Sequence, residues 1–591
     1  MDNKAIETDV LVVGGGGSGL RAAIGAGEKG VRPLLISKGP VARSGASLLA
    51  GADLTLDGKS LHELGFPGDP RDDKEKFFND ILTQGFYLNN QRLVEIYVEE
   101  APKRVKELLE WGINVNFSEE RAIFTSGSSI LDALLRRAQE IDVGIMDDVM
   151  LVGLLTKDGK ISGALGLSIQ TGDLITFRSK AVVLATGGWH KAYSPNAGPW
   201  ELSGDGVAAA YRAGAELANM EFVTFCCNVL LWPPKWSGII FPYLLHLLVG
   251  GKLVNSRGED FLIKYDPTLV KFGTSMEWNK SFVSILTTLE VLEGRGSPHG
   301  GVYYEIGDIS SEEFESCVTK YYPNWKYKGI DFSELGKMLK AKKPVEVGSA
   351  AEYFEGGIVA NEKFETNIPG LYAAGECSTS LFGANRVAAA TTEMLVEGTI
   401  AGQSAAEHAR KVEMPEIDEK QVERLKEKVF SPLKREEGIK PASLKQKIQR
   451  MAHETLGPIR NREGIEGFIQ FIEMVKKKEL PRLYTTSKSR RYNREWIEAL
   501  ELENIMQVLE ISAKSSLMRT ESRGVHYRLD HPYTDNNNWL KEIIVKRVGD
   551  EIRVTTRPVT ITKISPPSGV IPYMEMMKKM MEAHSQIGGH H

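Results

Sequence analysis

The chain of 591 residues contains only four cysteines, Cys226, Cys227, Cys317 and Cys377. None of them forms a C-x-x-C pair or another spacing typical of zinc or iron–sulfur sites, so we predict no metal site in this chain. The adjacent Cys226 and Cys227 are either a redox pair or two buried, inert thiols.

Long hydrophobic runs are also lacking. The longest apolar run, from Gly238 to Gly250, contains Pro242 and His246 and is too short to cross a bilayer. The first apolar run follows a polar leader and is broken by glycines, unlike a secretory signal. A net charge of −5 without a long basic block gives no indication of nucleic-acid binding. We therefore expect a cytoplasmic protein without a transmembrane segment, and leave open its membership of a membrane-associated complex.

The most informative segment is an apolar run that ends in glycines, between Asp9 and Ala23. Gly14, Gly16 and Gly19 have the G-x-G-x-x-G spacing of a turn between a strand and a helix, whose free N–H groups bind a pyrophosphate. A second apolar strand follows at 31–36. This pattern predicts dinucleotide binding. Ser37 occupies the position where nicotinamide-binding units usually carry an acidic residue, which counts against NAD.

The remaining pattern predicts a mixed α/β chain. Amphipathic helices are expected within 73–112, a β-meander at 149–156, 161–169 and 173–177, a buried strand at 181–184, a helix capped by Asp205, further helices at 419–429, 444–456 and 465–478, and strands at 552–558 and 559–564. The methionine-rich stretch after Pro567 is either a helix that docks a partner or one that packs on the core or frays.

Several further motifs occur in a fixed order over nearly the full length. They are Ala185-Thr186-Gly187-Gly188, Gly204-Asp205-Gly206, Glu293-Gly294-Arg295-Gly296, Leu371-Tyr372-Ala373-Ala374-Gly375-Glu376, Gly383-Ala384-Asn385-Arg386 and Glu521-Ser522-Arg523-Gly524-Val525-His526-Tyr527-Arg528. In these motifs the chain resembles the flavoprotein subunits of the succinate dehydrogenase and fumarate reductase family. Relatives of that family include L-aspartate oxidase and the adenylylsulfate reductase flavoprotein.

The resemblance implies an α/β fold with a Rossmann-type FAD-binding domain, an inserted α+β capping domain and a C-terminal helical domain. The expected division is 1–221 and 351–412 for the two parts of the FAD-binding domain, 222–350 for the capping domain, 413–545 for the helical domain and 546–591 for C-terminal strands and a tail.

The resemblance also implies FAD as the cofactor. The residues expected to hold it are Gly14, Gly16, Gly17, Ser18, Gly19, Ser37, Lys38, Arg43, Ser44, Gly45, Ala185, Thr186, Gly187, Asp205, Gly375, Glu376, Arg386 and Thr391. Gly45 stands where the family carries the histidine that links covalently to the flavin, so we expect FAD to be bound non-covalently. Because the chain has no cluster motif, we expect its electrons to pass through a separate iron–sulfur subunit.

The substrate positions depart from the family's pattern. Cys226-Cys227-Asn228 replaces its His-Pro-Thr, Glu352 replaces a carboxylate-binding histidine, and counting back from Glu293 to the catalytic arginine reaches Ile285. Of the dicarboxylate-binding set only Arg386 remains. A glutamate facing a dianion repels it, so we expect a substrate other than fumarate or succinate.

The candidate catalytic residues are Arg386, Glu352 and Tyr353. Arg386 either faces an anionic substrate or forms a structural ion pair, and Tyr353 is a candidate hydrogen-bond donor near the flavin. Glu352 and Glu355 are either acid–base groups of a changed pocket or part of a surface turn. The favoured function is an FAD-dependent oxidoreductase that acts on a C–C bond or on a related two-electron centre. The alternatives are an electron-transfer subunit without substrate chemistry, an adenylylsulfate reductase, and a true fumarate reductase with an altered pocket.

Overall fold

The computed structural model describes residues 4–50, 53–240, 249–265, 280–321, 329–386 and 389–586. The strands are β1 (Lys4–Val13), β2 (Pro33–Ile36), β3 (Asp53–Thr55), β4 (Phe117–Glu119), β5 (Ala122–Phe124), β6 (Gly144–Met146), β7 (Val149–Lys157), β8 (Lys160–Ser168), β9 (Leu174–Leu184), β10 (Leu217–Ala218), β11 (Val223–Trp232), β12 (Lys252–Val254), β13 (Val302–Glu305), β14 (Glu346–Phe354), β15 (Gly357–Ile358), β16 (Leu371–Ala373), β17 (Ile459–Arg460), β18 (Tyr527–Arg528), β19 (Tyr533–Asp535), β20 (Lys541–Val548), β21 (Glu551–Pro558) and β22 (Val570–Pro572).

The α-helices are α1 (Gly17–Gly27), α2 (Ala46–Leu49), α3 (Gly58–Glu63), α4 (Lys74–Gln84), α5 (Gln91–Glu110), α6 (Gly127–Glu140), α7 (Asp205–Ala213), α8 (Phe261–Tyr265), α9 (Lys280–Leu292), α10 (Ser311–Tyr321), α11 (Phe332–Lys340), α12 (Ala390–Ala409), α13 (Glu419–Lys434), α14 (Pro441–Leu456), α15 (Arg462–Lys478), α16 (Arg494–Met518) and α17 (Tyr573–Gln586).

The central sheet has the strand order β6-β2-β1-β9-β8-β7, with β16 also paired to β9. Strand β1 runs parallel to β2 and β9, while β8 is antiparallel to both β7 and β9. Val10, Leu11 and Val12 are fully buried, as expected for a strand inside a parallel sheet that is covered on both faces. The predicted fold class and β-meander are confirmed. The segments 173–177 and 181–184 belong to one strand, β9, rather than two.

Two helices cross closely over this sheet. A Cβ atom on Gly398 of α12 would lie 2.6 Å from the carbonyl oxygen of Ser18, and one on Gly402 would lie 2.0 Å from that of Ala22. Only glycine permits so close an approach to the backbone of α1. The crossing therefore fixes the start of α12 beside the glycine turn that precedes α1.

A second sheet, with the order β11-β14-β13-β12, lies in the region expected to cap the cofactor. Strand β14 pairs with β11 as far as Phe354, opposite Val223. The capping sheet thus continues past residue 350, where we placed the domain boundary, and carries Glu352 and Tyr353 at its end.

The helices predicted at 419–429, 444–456 and 465–478 are confirmed as α13, α14 and α15. Helix α16, with 25 residues between Arg494 and Met518, was not predicted from the sequence. Most of its residues are buried on every side, so it has no polar stripe from which a helical period could be recognised.

The prediction of a strand at 559–564 is wrong. The backbone N–H groups of Thr562, Lys563 and Ile564 donate to the side-chain oxygen of Gln91, at the start of α5, so they are not part of a sheet ladder. The methionine-rich segment forms α17, where Met577 is buried against the core of the capping region. Of the two interpretations of this segment, core packing is the one that the structure supports.

Within the described ranges, no helix combines the length and hydropathy that crossing a membrane requires. Most of the apolar run between Gly238 and Gly250, including Pro242 and His246, lies outside the described residues. In the ranges that the structure covers, no three His, Cys, Asp or Glu side chains come together as a metal site would require.

One glycine is expected to weaken its helix without serving any contact. Gly467 lies exposed in α15, and an added Cβ would meet no atom within 4 Å. Because glycine costs about 0.5–1 kcal/mol relative to alanine in a helix interior, Gly467→Ala is expected to stabilise the protein by about that amount. A higher urea midpoint at constant ionic strength confirms this expectation, and an unchanged or lower midpoint contradicts it.

Candidate active site

The glycine turn has the geometry that its spacing predicts. Gly14 has φ +128°, and a Cβ there would lie 2.0 Å from the carbonyl oxygen of Ala185. A Cβ on Gly19 would lie 1.8 Å from the oxygen of Gly14. Helix α1 begins with Gly16 as its N-cap, which offers no side-chain acceptor. The turn thus presents a helix N-terminus, the usual site for a phosphate group.

A cleft opens over this turn, and the turn forms part of its lining. Seventeen of the predicted site residues line it: Gly14, Gly16, Gly17, Ser18, Ser37, Lys38, Ser44, Gly45, Ala185, Thr186, Gly187, Asp205, Glu352, Tyr353, Gly375, Glu376 and Thr391.

Three predicted site residues lie outside this lining. Gly19 packs behind the turn against Gly14. The side chain of Arg43 is half-exposed and pairs with Asp132 at 2.7 Å. Arg386 lies next to the cleft, with its guanidinium carbon 5.0 Å from the ring centroid of Tyr353.

Lys38 lines the cleft and pairs with two acidic residues. Its ammonium group contacts Asp205 at 2.7 Å and Glu501 of α16 at 2.8 Å. Burial alone would lower the pKa of Lys38, but these two carboxylates outweigh it and raise the pKa. The predicted helix-capping role of Asp205 is wrong: the N-cap of α7 is Gly204, and Asp205 instead binds Lys38, Ser203 and Asn504.

Four glutamates, three of them buried and Glu376 nearly so, surround the other end of the cleft. Glu376 and Glu393 line it, Glu397 lies one helical turn further along α12, and Glu355 follows β14. Burial raises the pKa of Glu355 and of Glu393 to about 7 and that of Glu376 to about 8, and it also raises the pKa of Glu397. With 4 % of its surface exposed, Glu355 does not lie in a surface turn.

Tyr353 connects this group of glutamates to the cleft. Its hydroxyl donates to Glu393 Oε2 at 2.6 Å, and its ring lies beneath the Arg386 guanidinium. The backbone N–H of Arg386 donates to Glu355 Oε1 at 3.3 Å, and the hydroxyl of Thr224 donates to the same oxygen. Tyr353 and Arg386 therefore lie together, with the carboxyl groups of Glu355 and Glu393 beside them.

Glu352 forms an ion pair that the sequence analysis missed. Its carboxylate lies 2.6 Å from the ammonium nitrogen of Lys280, which is 1 % exposed at the start of α9. Ile285, the residue reached by counting back from Glu293, is on the same helix but is buried in the apolar core of the capping region. The buried cation on this helix is thus Lys280, five residues earlier in the chain.

Cys226 and Cys227 are both fully buried on β11. Burial, with a smaller effect from Cys226, raises the pKa of the Cys227 thiol well above its usual value. A thiol that resists ionisation is a poor nucleophile, which favours the interpretation of the pair as inert.

Comparison with known proteins assigns the family. The FAD binding domain family matches residues 9–392, and the fumarate reductase flavoprotein C-terminal family matches residues 445–573. The chain belongs to the fumarate reductase and succinate dehydrogenase flavoprotein family. It is an FAD-dependent oxidoreductase.

Individual members of this flavoprotein family match along nearly the whole chain. A subunit of the fumarate reductase (CoM/CoB) of Methanothermobacter marburgensis is 30% identical over 572 residues, which cover 93% of this chain and 98% of that protein. The structure of Mycobacterium smegmatis Sdh1 superposes with a TM-score of 0.83 at 29% identity, covering 95% and 96% of the two chains. A mutant of the E. coli quinol fumarate reductase FrdA gives a TM-score of 0.83 at 26% identity, covering 96% and 99%.

The residues of this flavoprotein fit FAD at the cleft. Ser18 Oγ and Glu376 Oε1 are buried polar atoms of the lining that have no hydrogen-bond partner among the described residues. Gly45 has φ +80°, and a Cβ there would meet no atom within 4 Å, so the backbone leaves space beside the cleft. With FAD bound, the N-terminus of α1 at the glycine turn would face the pyrophosphate.

The cleft also has polar and flexible lining residues that were not predicted. Among them are Ser47, Glu201, Glu393 and Met394. Of these, Glu393 left a signal in the sequence, because Glu393 and Glu397 are two acidic residues one turn apart in a segment otherwise rich in small and apolar residues.

Proposed function

We propose that this flavoprotein reduces or oxidises a C–C bond of a small substrate that is not a simple dicarboxylate, and that it exchanges electrons with a separate iron–sulfur subunit. The observation that carries the proposal is the Lys280–Glu352 ion pair at the wall of the cleft. Relatives that are named as subunits of fumarate reductase and of succinate dehydrogenase support a multisubunit assembly.

The charge of the cleft disfavours a dianion. Glu352 compensates the charge of Lys280, and Glu355, Glu376 and Glu393 are further acidic groups at the same end. Two like charges 4 Å apart repel by about 4 kcal/mol at an effective dielectric constant near 20. A second carboxylate on the substrate would meet this repulsion, whereas a neutral or singly charged substrate would need only one cation. Arg386 is the residue we assign to that role.

The bound cofactor and the residues at the cleft have separate roles in the proposed reaction. FAD supplies hydride-transfer chemistry when bound. Tyr353 donates a hydrogen bond towards the substrate, Arg386 attracts its charge, and Gly45 leaves the cofactor without a covalent link. The polar wall formed by Glu352, Tyr353 and Glu393 supports substrate chemistry over a purely electron-transferring subunit, for which we would expect an apolar wall.

The test uses the dithionite-reduced holoprotein under anaerobic conditions. Flavin absorbance reports reoxidation by fumarate, by crotonate as a mono-anion and by crotonamide as a neutral compound. Fumarate is expected to react at least about tenfold more slowly than the better of the other two, since about 1.4 kcal/mol of repulsion corresponds to a factor of ten. Fast turnover of fumarate alone would contradict the proposed change of substrate. Failure of all three compounds, with fast oxidation by a dye, would favour the electron-transfer alternative.

Glu352→Gln provides the matched test of the charge argument. Removing this carboxylate takes one negative charge from beside Lys280 and the cleft, so reoxidation by fumarate is expected to rise about tenfold relative to crotonamide. Glu362→Gln, which removes an exposed carboxylate of the same type, serves as the control and should leave that ratio unchanged. Equal ratios in both variants would remove the support that Glu352 gives to the proposal.

A further inference from the structure

The hydroxyl of Tyr353 has two possible partners, Glu393 and whatever occupies the cleft. Both Tyr353 and Glu393 line the cleft, are 6 % and 4 % exposed, and are joined by a 2.6 Å hydrogen bond. A phenol has a single proton to donate. If Glu393 is ionised it takes that proton as an acceptor, but if it is protonated it donates to the phenol oxygen instead.

We propose that Glu393 is a positioning and proton-supplying residue: when protonated, it turns the Tyr353 hydroxyl towards the cleft and replaces the proton that Tyr353 gives to the substrate. This inference rests on the proposed function, because it requires a substrate that takes up a proton.

The surrounding charges support a protonated Glu393. Glu355 approaches from the loop after β14, Glu376 from the turn after β16, and Glu397 from the next turn of α12. Arg386 is the cation that lies over Tyr353 and acts on these carboxyls. The neighbouring Lys280 is compensated by Glu352. Four carboxylates around one guanidinium repel one another, so part of the group holds protons near neutral pH.

The remaining titratable neighbours do not replace Glu393 in this role. His190 binds the backbone oxygen of Glu352 at 2.6 Å, and burial lowers its pKa to about 4, so it is neutral. Glu397 Oε2 accepts from the N–H of Gly375 and from the hydroxyl of Ser378, each at 2.7 Å. Glu393 is the carboxyl that the described structure joins to the phenol.

The proton transfer balances without a further reactant. Reduction of a C=C bond takes up one hydride, which the flavin chemistry of the family supplies, and one proton. The O–H bond of Tyr353 breaks as its proton passes to the substrate. The O–H bond of Glu393 then breaks, its proton restores the phenol, and the Glu393 carboxylate regains a proton from water.

The direction of the pH dependence follows from burial. Burial raises the pKa of Glu393 to about 7, so its protonated form is lost as the pH rises through that value. Reoxidation of the reduced protein by its best acceptor is therefore expected to slow above about pH 7. Glu393→Gln cannot ionise, so it should lose this limb of the profile and react about tenfold more slowly at low pH, within the range of acid–base effects. Tyr353→Phe should lower the rate about 100-fold at every pH.

A second readout needs no substrate. Infrared pH titration of the holoprotein follows the carboxylic C=O band, which disappears on ionisation. Glu393→Gln should remove a component that titrates near pH 7, and Tyr353→Phe should shift the frequency of that component because its hydrogen bond is gone. Glu397→Gln, a buried carboxyl of the same helix, is the matched control and should keep both the component and the pH limb. Flavin content and urea midpoints show whether each variant is folded.

Two results would overturn the inference. One is a neutral-pH infrared component whose amplitude is the same in Glu393→Gln as in the parent, since Glu355 and Glu376 contribute equally to both, and the other is an unchanged pH limb in a folded, FAD-loaded Glu393→Gln. If no acceptor from the panel reacts, the proposed function fails, but the infrared titration still decides whether Glu393 holds a proton against Tyr353. The two failures are therefore distinguishable.

Discussion

Replacement of Glu521 by glutamine is expected to lower the free energy of unfolding by about 3–5 kcal/mol, the usual cost of removing one partner from a buried ion pair. Glu521 is fully buried and accepts from Arg519 at 2.9 Å and from Arg523 at 2.8 and 2.9 Å. It also accepts from the N–H of Asp535 at 2.8 Å. A glutamine would remove the negative charge that the buried guanidinium groups of Arg519 and Arg523 share.

The arginines that Glu521 holds connect distant parts of the chain. Arg519 reaches Glu221, directly before the expected start of the capping domain, at 2.7 Å. Arg523 donates to the backbone oxygen of Phe86 at 2.9 Å. The motif between Glu521 and Arg528, which helped to indicate the family, thus contributes a buried junction between the C-terminal part, the capping region and the FAD-binding domain.

Urea unfolding at constant ionic strength measures the effect of Glu521→Gln. The control is Glu575→Gln, which breaks an exposed pair with Lys579 at 3.0 Å and should leave the midpoint unchanged, since exposed pairs contribute little. Similar midpoints for the two variants would show that the buried junction contributes no more than a surface pair.

Gly19→Ala is expected to weaken FAD binding about 100-fold. The new Cβ would lie 1.8 Å from the carbonyl oxygen of Gly14, which is backbone and cannot rotate away. Helix α1 would have to shift from β1, and overpacking of this kind costs about 1–3 kcal/mol. At about 1.4 kcal/mol per factor of ten, the upper part of that range corresponds to the predicted loss.

Fluorescence titration of the apoprotein with FAD measures this dissociation constant. Gly467→Ala makes the same chemical change where nothing lies within 4 Å, so it controls for the substitution itself and should bind FAD as the parent does. Equal dissociation constants for the two variants would mean that the turn tolerates a side chain at Gly19.

Local patterns predicted the parts of this fold that have a one-sided environment. The amphipathic stretches within 73–112 and beyond 419 become helices, because each has one buried and one exposed face. Strand β1 is buried on both faces and was predicted instead from its continuous apolar run, which ends in the glycine turn. Helix α16 has no exposed face to contrast with a buried one, yet its Glu501 forms an ion pair with Lys38. Its place in the site arises from tertiary packing, which no local period reveals.

The substrate end of the site was only partly predictable for a related reason. Counting along α9 reached Ile285, whereas the cation that pairs with Glu352 is the side chain of Lys280. Residues five apart on a helix point to different sides, so the two positions are not equivalent. Tyr353 was predicted from its motif, but its partner Glu393 lies 40 residues away and meets it only through the fold. Long-range pairs of this kind require the crossing of α12 over α1.

The crossing of α12 over α1 also affects when the protein can acquire its cofactor during synthesis. The glycine turn leaves the ribosome early, but Glu376, Thr391 and Met394, which complete the cleft, are made hundreds of residues later. At about 5–20 residues per second, the turn waits on the order of tens of seconds for them. FAD capture is thus a late event of biogenesis, which follows the translation of α12.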